Sequence, residues 1–279
     1  PRATSDYDCR HVPAAQRPRV GLGAMSACPR CQSSMTDDGR CVRCGRSASD
    51  SARTARFQDA LIGTTLAGKY RLLELIGSGA MGRVYRAEHL RLQRLVAVKV
   101  ISPDLATDPQ TARRFEHEAR AASRLRHPNV IHIHDFGCTE SGTLYLEMEL
   151  LKGRTLGEVN RAEGPLSAAR VVQLLAPALR ALDAAHRSGI IHRDFKPENI
   201  FIETRDGGEE HVKVLDFGIA KVLGQEADTK GLTQSGMVVG TPEYMSPEQA
   251  EGNPVDIRTD IYSLGVVLFE MLTGALPFV

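Results

Sequence analysis

An α+β fold in two lobes, strands leading and helices after them, is what the order of apolar runs predicts. From residue 70 to residue 150 the runs are short, β-branched and broken by turn residues. Beyond Ser167 they lengthen and take a helical period, ending in a final apolar helix. The 279 residues, 42% of them apolar, suffice for a real core in one large domain or two ordinary ones.

Tyr70–Ile76 and Arg83–Glu88 read as short strands around a glycine turn, and Leu95–Ile101 as a third strand. Asp108 before Pro109 is a helix start, cap then first position, and that helix runs to about Leu125, where His127-Pro128-Asn129 stops it. Val130–Phe136 and Leu144–Leu150 are further strands. Ser167 caps a long helix reaching about Arg187, with Pro177 inside it; a kink there or a strained straight helix are both open. A Gly/Thr/Ser-rich segment spans 219–246. The last run, Ile261–Val279, carries Glu270, Gly274 and Pro277, and so reads as a buried helix and not a membrane span.

Composition sets limits. Thirty-five Lys and Arg against 34 Asp and Glu leave a formal charge of +1, which argues against a protein built mainly to grip nucleic acid. Arg30, Arg40, Arg43 and Arg46 are a local basic group, but no aromatic platform accompanies them. Residues 1–24 are Pro/Arg-rich, lack the apolar core of a signal peptide, and are expected to lie upstream of the natural start at Met25.

Four of the six cysteines form two CxxC pairs, Cys28/Cys31 and Cys41/Cys44, with Gly45 after the second. Each such turn offers two thiolates to one ion, so a structural, tetrahedral Zn²⁺ is predicted in a ribbon-like module over 25–46. Too few apolar residues are present there for a core, which favours the metal as the source of order; two disulfides or a redox CxxC are the alternatives, the latter without the βαβ pattern it normally accompanies. Residues 47–65 read as a linker, 66–151 as the first lobe with its exit strand, and 152–279 as the second lobe, expected to be incomplete at its C-terminus.

The chemistry sits in a series of motifs. Ile76-Gly77-Ser78-Gly79-Ala80-Met81-Gly82-Arg83-Val84 holds GxGxxG, yet the residues after it are strand-like, whereas a dinucleotide site requires a helix there. Glycines between antiparallel strands make a flap whose amides can lie over phosphates. Lys99, between Val98 and Val100, needs a charged partner if both faces of its strand are buried. Phe115, Glu118, Ala122 and Leu125 share a helix face, which makes Glu118 one such partner; an exposed Arg114–Glu118 pair is the alternative. Next come Ile191-His192-Arg193-Asp194-Phe195-Lys196-Pro197-Glu198-Asn199 and Val214-Leu215-Asp216-Phe217-Gly218. Two acids, an amide and a lysine in loops between buried strands suit a magnesium-phosphate site, because Mg²⁺ takes hard oxygen ligands.

With these motifs in this order, the chain from about Leu66 to Val279 resembles the protein kinase family, specifically bacterial Hanks-type Ser/Thr kinases. The resemblance implies a two-lobed kinase fold and ATP-dependent phosphorylation of protein Ser/Thr hydroxyls. It implies that Ile76, Gly77, Ser78, Gly79, Gly82, Val84 and Ala97 enclose ATP, with Glu149 and Leu151 in the hinge behind the gatekeeper Met148. Lys99 would hold phosphates and pair with Glu118; Asp194 would take or orient the acceptor proton, and Lys196 would offset charge on the transferring group. Asn199 and Asp216 would bind Mg²⁺, Thr241 would serve in substrate docking, and Asp260, at a helix start, would anchor the catalytic loop's backbone. Glu248 would be left without its usual arginine, and Leu264, Val267, Leu268 and Met271 without a cover. Protein substrates and self-association for autophosphorylation are the implied partners. The few cysteines outside the CxxC pairs, with ATP chemistry, imply a cytoplasmic setting for this portion, although related kinases often continue into a membrane span. The alternative is a truncated, non-catalytic nucleotide-binding or zinc-dependent interaction module.

Arg193 beside Asp194 further implies activation by phosphorylation, with Thr233 and Ser235 as acceptors. Peptide mapping after incubation with ATP is expected to place phosphates within residues 225–241; sites confined to other segments would refute this.

Overall fold

The computed structural model describes residues 59–79, 81–103, 109–205, 207–217 and 242–278, with side chains in the helix after residue 108 from Ala112 onward. Cys28, Cys31, Cys41, Cys44, Thr233, Ser235 and Thr241 all lie outside the described residues. The chain divides into two units, His11–Thr64 and a larger one that includes Thr65–Val279. Of the smaller unit, the described residues form a turn closed by Ile62 N donating to Asp59 O at 2.8 Å.

The larger unit begins with a six-stranded antiparallel sheet: β1 Thr65–Leu66, β2 Tyr70–Gly79, β3 Gly82–His89, β4 Arg94–Ile101, β5 Ile133–Cys138 and β6 Leu144–Met148. Their spatial order is β1-β2-β3-β4-β6-β5. The central pair is buried throughout β6 and in β4 from Val96 on, with Glu147 and Lys99 as the charged members of otherwise largely apolar runs. One face is covered by α1, Pro109–Arg124, which buries Ala112, Phe115, Ala119 and Ala122 against Ala97, Ile101, Leu144, Leu146 and Met148. Those helix positions are spaced three, four and three apart, one stripe of a 3.6-residue period. Glu118 is therefore beside the stripe and half-buried, not within it.

The fifth strand starts three residues later than its sequence suggests. Val130 makes an isolated parallel bridge to Val214 instead, and Ile131 N donates to Val214 O at 3.0 Å. The β-branched run is real, but its first residues pair with the second lobe.

That lobe holds a three-stranded sheet, β7 Gly153–Thr155, β8 Ile200–Thr204 and β9 Glu210–Val214, together with α2 Leu156–Glu163, α3 Ala168–Arg187, α4 Pro247–Ala250 and α5 Ile257–Thr273. Sequence reading missed α2, whose start is a capping box: Thr155 Oγ1 accepts from Glu158 N, and the Glu158 carboxylate accepts from Thr155 N. Ser167 caps α3 as expected, accepting from Arg170 N at 3.3 Å. The helix continues past Pro177 to Arg187 and buries Val171, Leu174, Leu175, Ala178, Ala181, Leu182 and Ala185.

Two expectations for the final helix are corrected. It spans Ile257–Thr273, capped by Asp256 in front and by Gly274 (φ 74°) behind, so the apolar run continues past the helix. Its face is not bare: Val267 and Met271 are fully buried against the α3 core, Leu264 packs against the same cluster, and only Leu268 of the four is exposed, at 41%. Glu248 has no arginine ion pair among the described residues, as expected, but accepts from Thr259 Oγ1 at 2.7 Å. Among the described residues no helix is long and apolar enough to cross a membrane.

In the glycine flap the strands stay paired to the tip, with Gly77 opposite Val84, Ser78 opposite Arg83 and Gly79 opposite Gly82. Gly82 has φ 145°, and a Cβ there would sit 2.1 Å from Val100 O, whereas a Cβ on Gly79 would meet open space. Alanine at 82 is expected to cost about 2 kcal/mol or more of unfolding free energy. Alanine at 79 is expected to cost well under half of that. Equal midpoints for the two variants in urea denaturation would refute this reading.

Candidate active site

The site is assembled around a buried carboxylate. Asp260, in the first turn of α5, has no solvent exposure and takes three donors: His192 N at 2.9 Å, Arg193 N at 2.8 Å and His186 Nε2 at 2.7 Å. The loop between α3 and β8 is thus held by its own amides, as the sequence reading of Asp260 anticipated. At Arg193 the backbone turns left-handed, φ 67°, a conformation costing about 1 kcal/mol or more for an L residue. Gln249 Nε2 donates to Arg193 O at 2.8 Å and fixes the other side of that peptide.

His192 is fully buried, and its two ring nitrogens are assigned by their partners. Asp194 N donates to Nδ1 at 3.3 Å, so Nε2 carries the proton and donates to Leu215 O at 2.8 Å. Phe217 and Phe195 flank the ring edge-on, with centroids 4.7 and 5.6 Å away. This histidine joins the loop of Asp194 to the loop of Asp216.

Asp194 carries a dense set of bonds. Lys196 Nζ lies 2.9 Å from both of its carboxylate oxygens, and Asn199 Nδ2 donates to Oδ2 at 3.0 Å and to the main-chain O at 2.7 Å. With its amide nitrogen committed, Asn199 has in Oδ1 a hard oxygen that no hydrogen bond among the described residues uses. Across the cleft, Lys99 Nζ, on buried β4, donates to Asp216 Oδ2 at 2.8 Å. Asp216 is also left-handed, φ 58°. Burial pulls its carboxyl up, but Lys99, and behind it His192 and Lys196, outweigh burial and hold it below the ordinary aspartate value of 3.8.

Lys99, Asp194, Lys196, Asn199 and Asp216 therefore come together as expected. Glu118 does not join them as an ion-pair partner of Lys99. Among the described residues Lys99 pairs with Asp216, and Glu118 acts on Arg193, whose guanidinium burial lowers while Glu118 and Asp260 oppose it. The helix period brought Glu118 to the edge of the stripe, where its charge acts on an arginine of the second lobe without an ion pair between them among the described residues.

Above the cleft, Val84, Ala97, Met148 and Leu151 belong to one apolar cluster with Leu215, while Ile76 is 47% exposed on the flap. Glu149 is clasped from three directions: its amide donates to His132 O at 3.1 Å, and its Oε1 accepts from His132 N at 2.8 Å and Lys213 Nζ at 2.7 Å.

A family model described as the protein kinase domain matches residues 70–279. The chain belongs to the protein kinase family. It is 50% identical over 220 residues to the serine/threonine-protein kinase pkn3 of Myxococcus xanthus, covering 79% of this chain and 40% of that protein. It is 44% identical over 217 residues to PknB of Mycobacterium leprae, covering 77% and 34% respectively. Both relatives are thus well over twice as long as the part matched. Among solved structures, the Mycobacterium tuberculosis PknI kinase domain superposes with a TM-score of 0.62 at 31% identity, covering 77% of this chain and 78% of that one.

In this kinase domain, several supporting residues were missed by sequence reasoning. Gln249 had a signal, since Ser246 and Gln249 form a capping box at the start of α4. His186, Lys213 and the Tyr244–Glu270 hydrogen bond of 2.6 Å had none, because each depends on a contact distant in the chain.

A pH experiment isolates the Lys99–Asp216 pair. Because the folded value of Asp216 is depressed, its contribution to stability is complete above the ordinary value and drains away as pH falls through the folded one. Substituting Lys99→Met leaves burial to dominate, so the Asp216 carboxyl should titrate at higher pH by NMR. An unchanged titration would show that another charge holds it.

Proposed function

We propose that this chain transfers the terminal phosphoryl group of ATP to Ser or Thr hydroxyls of proteins. The observation supporting it most strongly is the adjacency of two matched sets, Lys99 with Asp216 and Lys196 with Asp194 and Asn199. In the reaction an acceptor hydroxyl loses its proton toward Asp194 as its oxygen bonds to the γ-phosphorus. The bond from that phosphorus to the β-bridging oxygen breaks, and ADP leaves. Lys196 exchanges part of its hold on Asp194 for the developing charge on the phosphoryl oxygens. Lys99 turns from Asp216 toward the α- and β-phosphates, and the flap over Ile76–Val84 covers them.

The donor set fits a hard divalent cation: the Asp216 carboxylate and the Asn199 Oδ1 would hold Mg²⁺. When bound, that ion supplies charge neutralisation on the phosphate oxygens. Ala97 and Val84, with Met148 behind them, supply the apolar walls for adenine, and the Leu151 amide takes part in none of the main-chain hydrogen bonds among the described residues.

Four finer assignments belong to the same proposal. Thr233 and Ser235 accept phosphate in autophosphorylation between copies, and Thr241 positions the acceptor peptide. Cys28, Cys31, Cys41 and Cys44 hold one Zn²⁺, supported by the paired CxxC spacing. The catalytic portion works in the cytoplasm, where ATP is available and thiolates stay reduced.

Native mass spectrometry after incubation with Mg²⁺ and ATP tests both modules. One bound zinc and added phosphates are expected, the phosphates falling about 10²–10⁴-fold in rate in Asp194→Asn and the zinc unaffected. Zinc without phosphate in the unsubstituted chain would overturn the kinase reading for this chain and favour an interaction module. Phosphate without zinc would overturn the metal assignment.

A further inference from the structure

Away from the cleft, an open surface pocket of about 550 Å³, its arginines exposed, lies between the end of α1 and the last turns of α3. Its lining includes the ionisable residues Arg124, Arg126, His127, Arg180, Asp183 and Arg187, with Ser188 beside them. Four arginines and a single aspartate line it, a formal balance of +3. Arg187 pairs with Asp183 at 2.9 Å, but among the described residues Arg124, Arg126 and Arg180 have neither an ion pair nor a hydrogen-bond acceptor.

Helix termini account for part of this. Arg124 and Arg187 stand in the last turns of α1 and α3, where the partial negative charge of the helix favours a cation. Arg126 lies past the end of α1 and Arg180 two turns before the end of α3, so neither has that reason to be there. Arg180 also acts on His127, whose pKa burial lowers first and Arg180 lowers further, with Asp183 opposing. His127 also has a defined donor. Its Nδ1 accepts from Asn129 N at 3.2 Å, which leaves the proton on Nε2, and no bond among the described residues uses it.

We propose that this cavity binds a phosphoryl dianion, with Arg126, Arg180 and the His127 Nε2–H as its principal donors. Two negative charges match the unpaired arginines better than one carboxylate does, and the guanidinium fork bonds two phosphoryl oxygens at once. The volume exceeds that of phosphate several-fold, so the group arrives as part of a larger molecule: a phosphorylated side chain or a free phosphate compound. The donors come from both lobes, Arg124, Arg126 and His127 from one and Arg180 and Arg187 from the other, so the ligand ties the end of α1 to α3. Binding there does not depend on the chain's catalytic activity.

The test uses the full chain and reads the His127 ring signals by NMR, assigned with His127→Gln. The probes are inorganic phosphate, a phosphothreonine peptide with uncharged flanks, and the same peptide unphosphorylated. Saturable shifts are expected with phosphorylated probes, weakened at least about tenfold in the Arg126→Gln/Arg180→Gln double variant and weakened by added salt. Tighter binding of the peptide than of phosphate would identify a protein source, and the reverse a free phosphate compound. Binding in the catalytic cleft leaves the His127 signals in place and survives the double variant. His127 signals unmoved by either phosphorylated probe, or moved equally in a folded double variant with the same thermal midpoint, would overturn the proposal.

Discussion

A carboxylate stripped of water and satisfied entirely by protein donors is the constraint on which the rest of the cleft depends. Burying Asp260 costs several kcal/mol before any bond is formed. Three donors offset that cost, two of them consecutive main-chain amides, at His192 and Arg193. Two amides converging on one carboxylate leave the intervening peptide almost no freedom. The left-handed turn at Arg193 is tolerated because the bonds on both sides of it over-determine it. Asp194 is the next residue, so its position derives from a side chain 66 residues later in the chain. The loop is irregular in conformation yet as fixed as a helix.

Within the cleft the same balance is struck with mobile charges. Lys99 and Asp216 neutralise each other, as do Lys196 and Asp194, so neither lobe presents a naked charge to the other. Each pair joins a group suited to phosphate with a group suited to a metal or a proton. Nucleotide and cation arriving together can therefore replace both bonds with little change in the number of matched charges. A site made only of lysines, or only of carboxylates, would have to bear repulsion until its ligand came. The position of Glu118 fits this balance: Lys99 is already satisfied by Asp216, and Arg193, half desolvated, is the cation that needs an anion.

How much of this was legible depends on whether the responsible contact is local. The flap, β4, the cap at Ser167 and the motif residues of the cleft were readable because caps and periodicities act within a few residues. Helix α2 was also local, its Thr155–Glu158 box plain in the sequence, and was overlooked beside the motifs. Val130 was not readable: its composition is that of a strand, and only the presence of Val214 decides which sheet it joins. Glu118 failed for a related reason, since the helix stripe is offset from the one inferred and places Ala119 where the carboxylate was expected. The covering of Val267 and Met271 needed the packing of α5 on α3, which no pattern within α5 announces.

Those non-local decisions converge on one short stretch. Val212 O accepts from Asn129 Nδ2, Lys213 reaches Glu149, and Val214 bonds through both its amide and its carbonyl to Asn129 and Ile131. Leu215 N donates to Asn199 O while Leu215 O accepts from His192, and Asp216 takes Lys99. Five consecutive residues thus connect β9 to the exit of α1, the hinge, the Asp194 loop and β4. The first three contacts are independent of any ligand, so they hold the lobes in register when the cleft is empty. The last, Lys99 with Asp216, is the one that a bound nucleotide replaces on the proposed reading. Because it lies at the end of a strand already fixed at four successive positions, exchanging it alters charge at the cleft without releasing the backbone that carries Asp216. The closing interaction and the structural ones are thereby separated along a single strand.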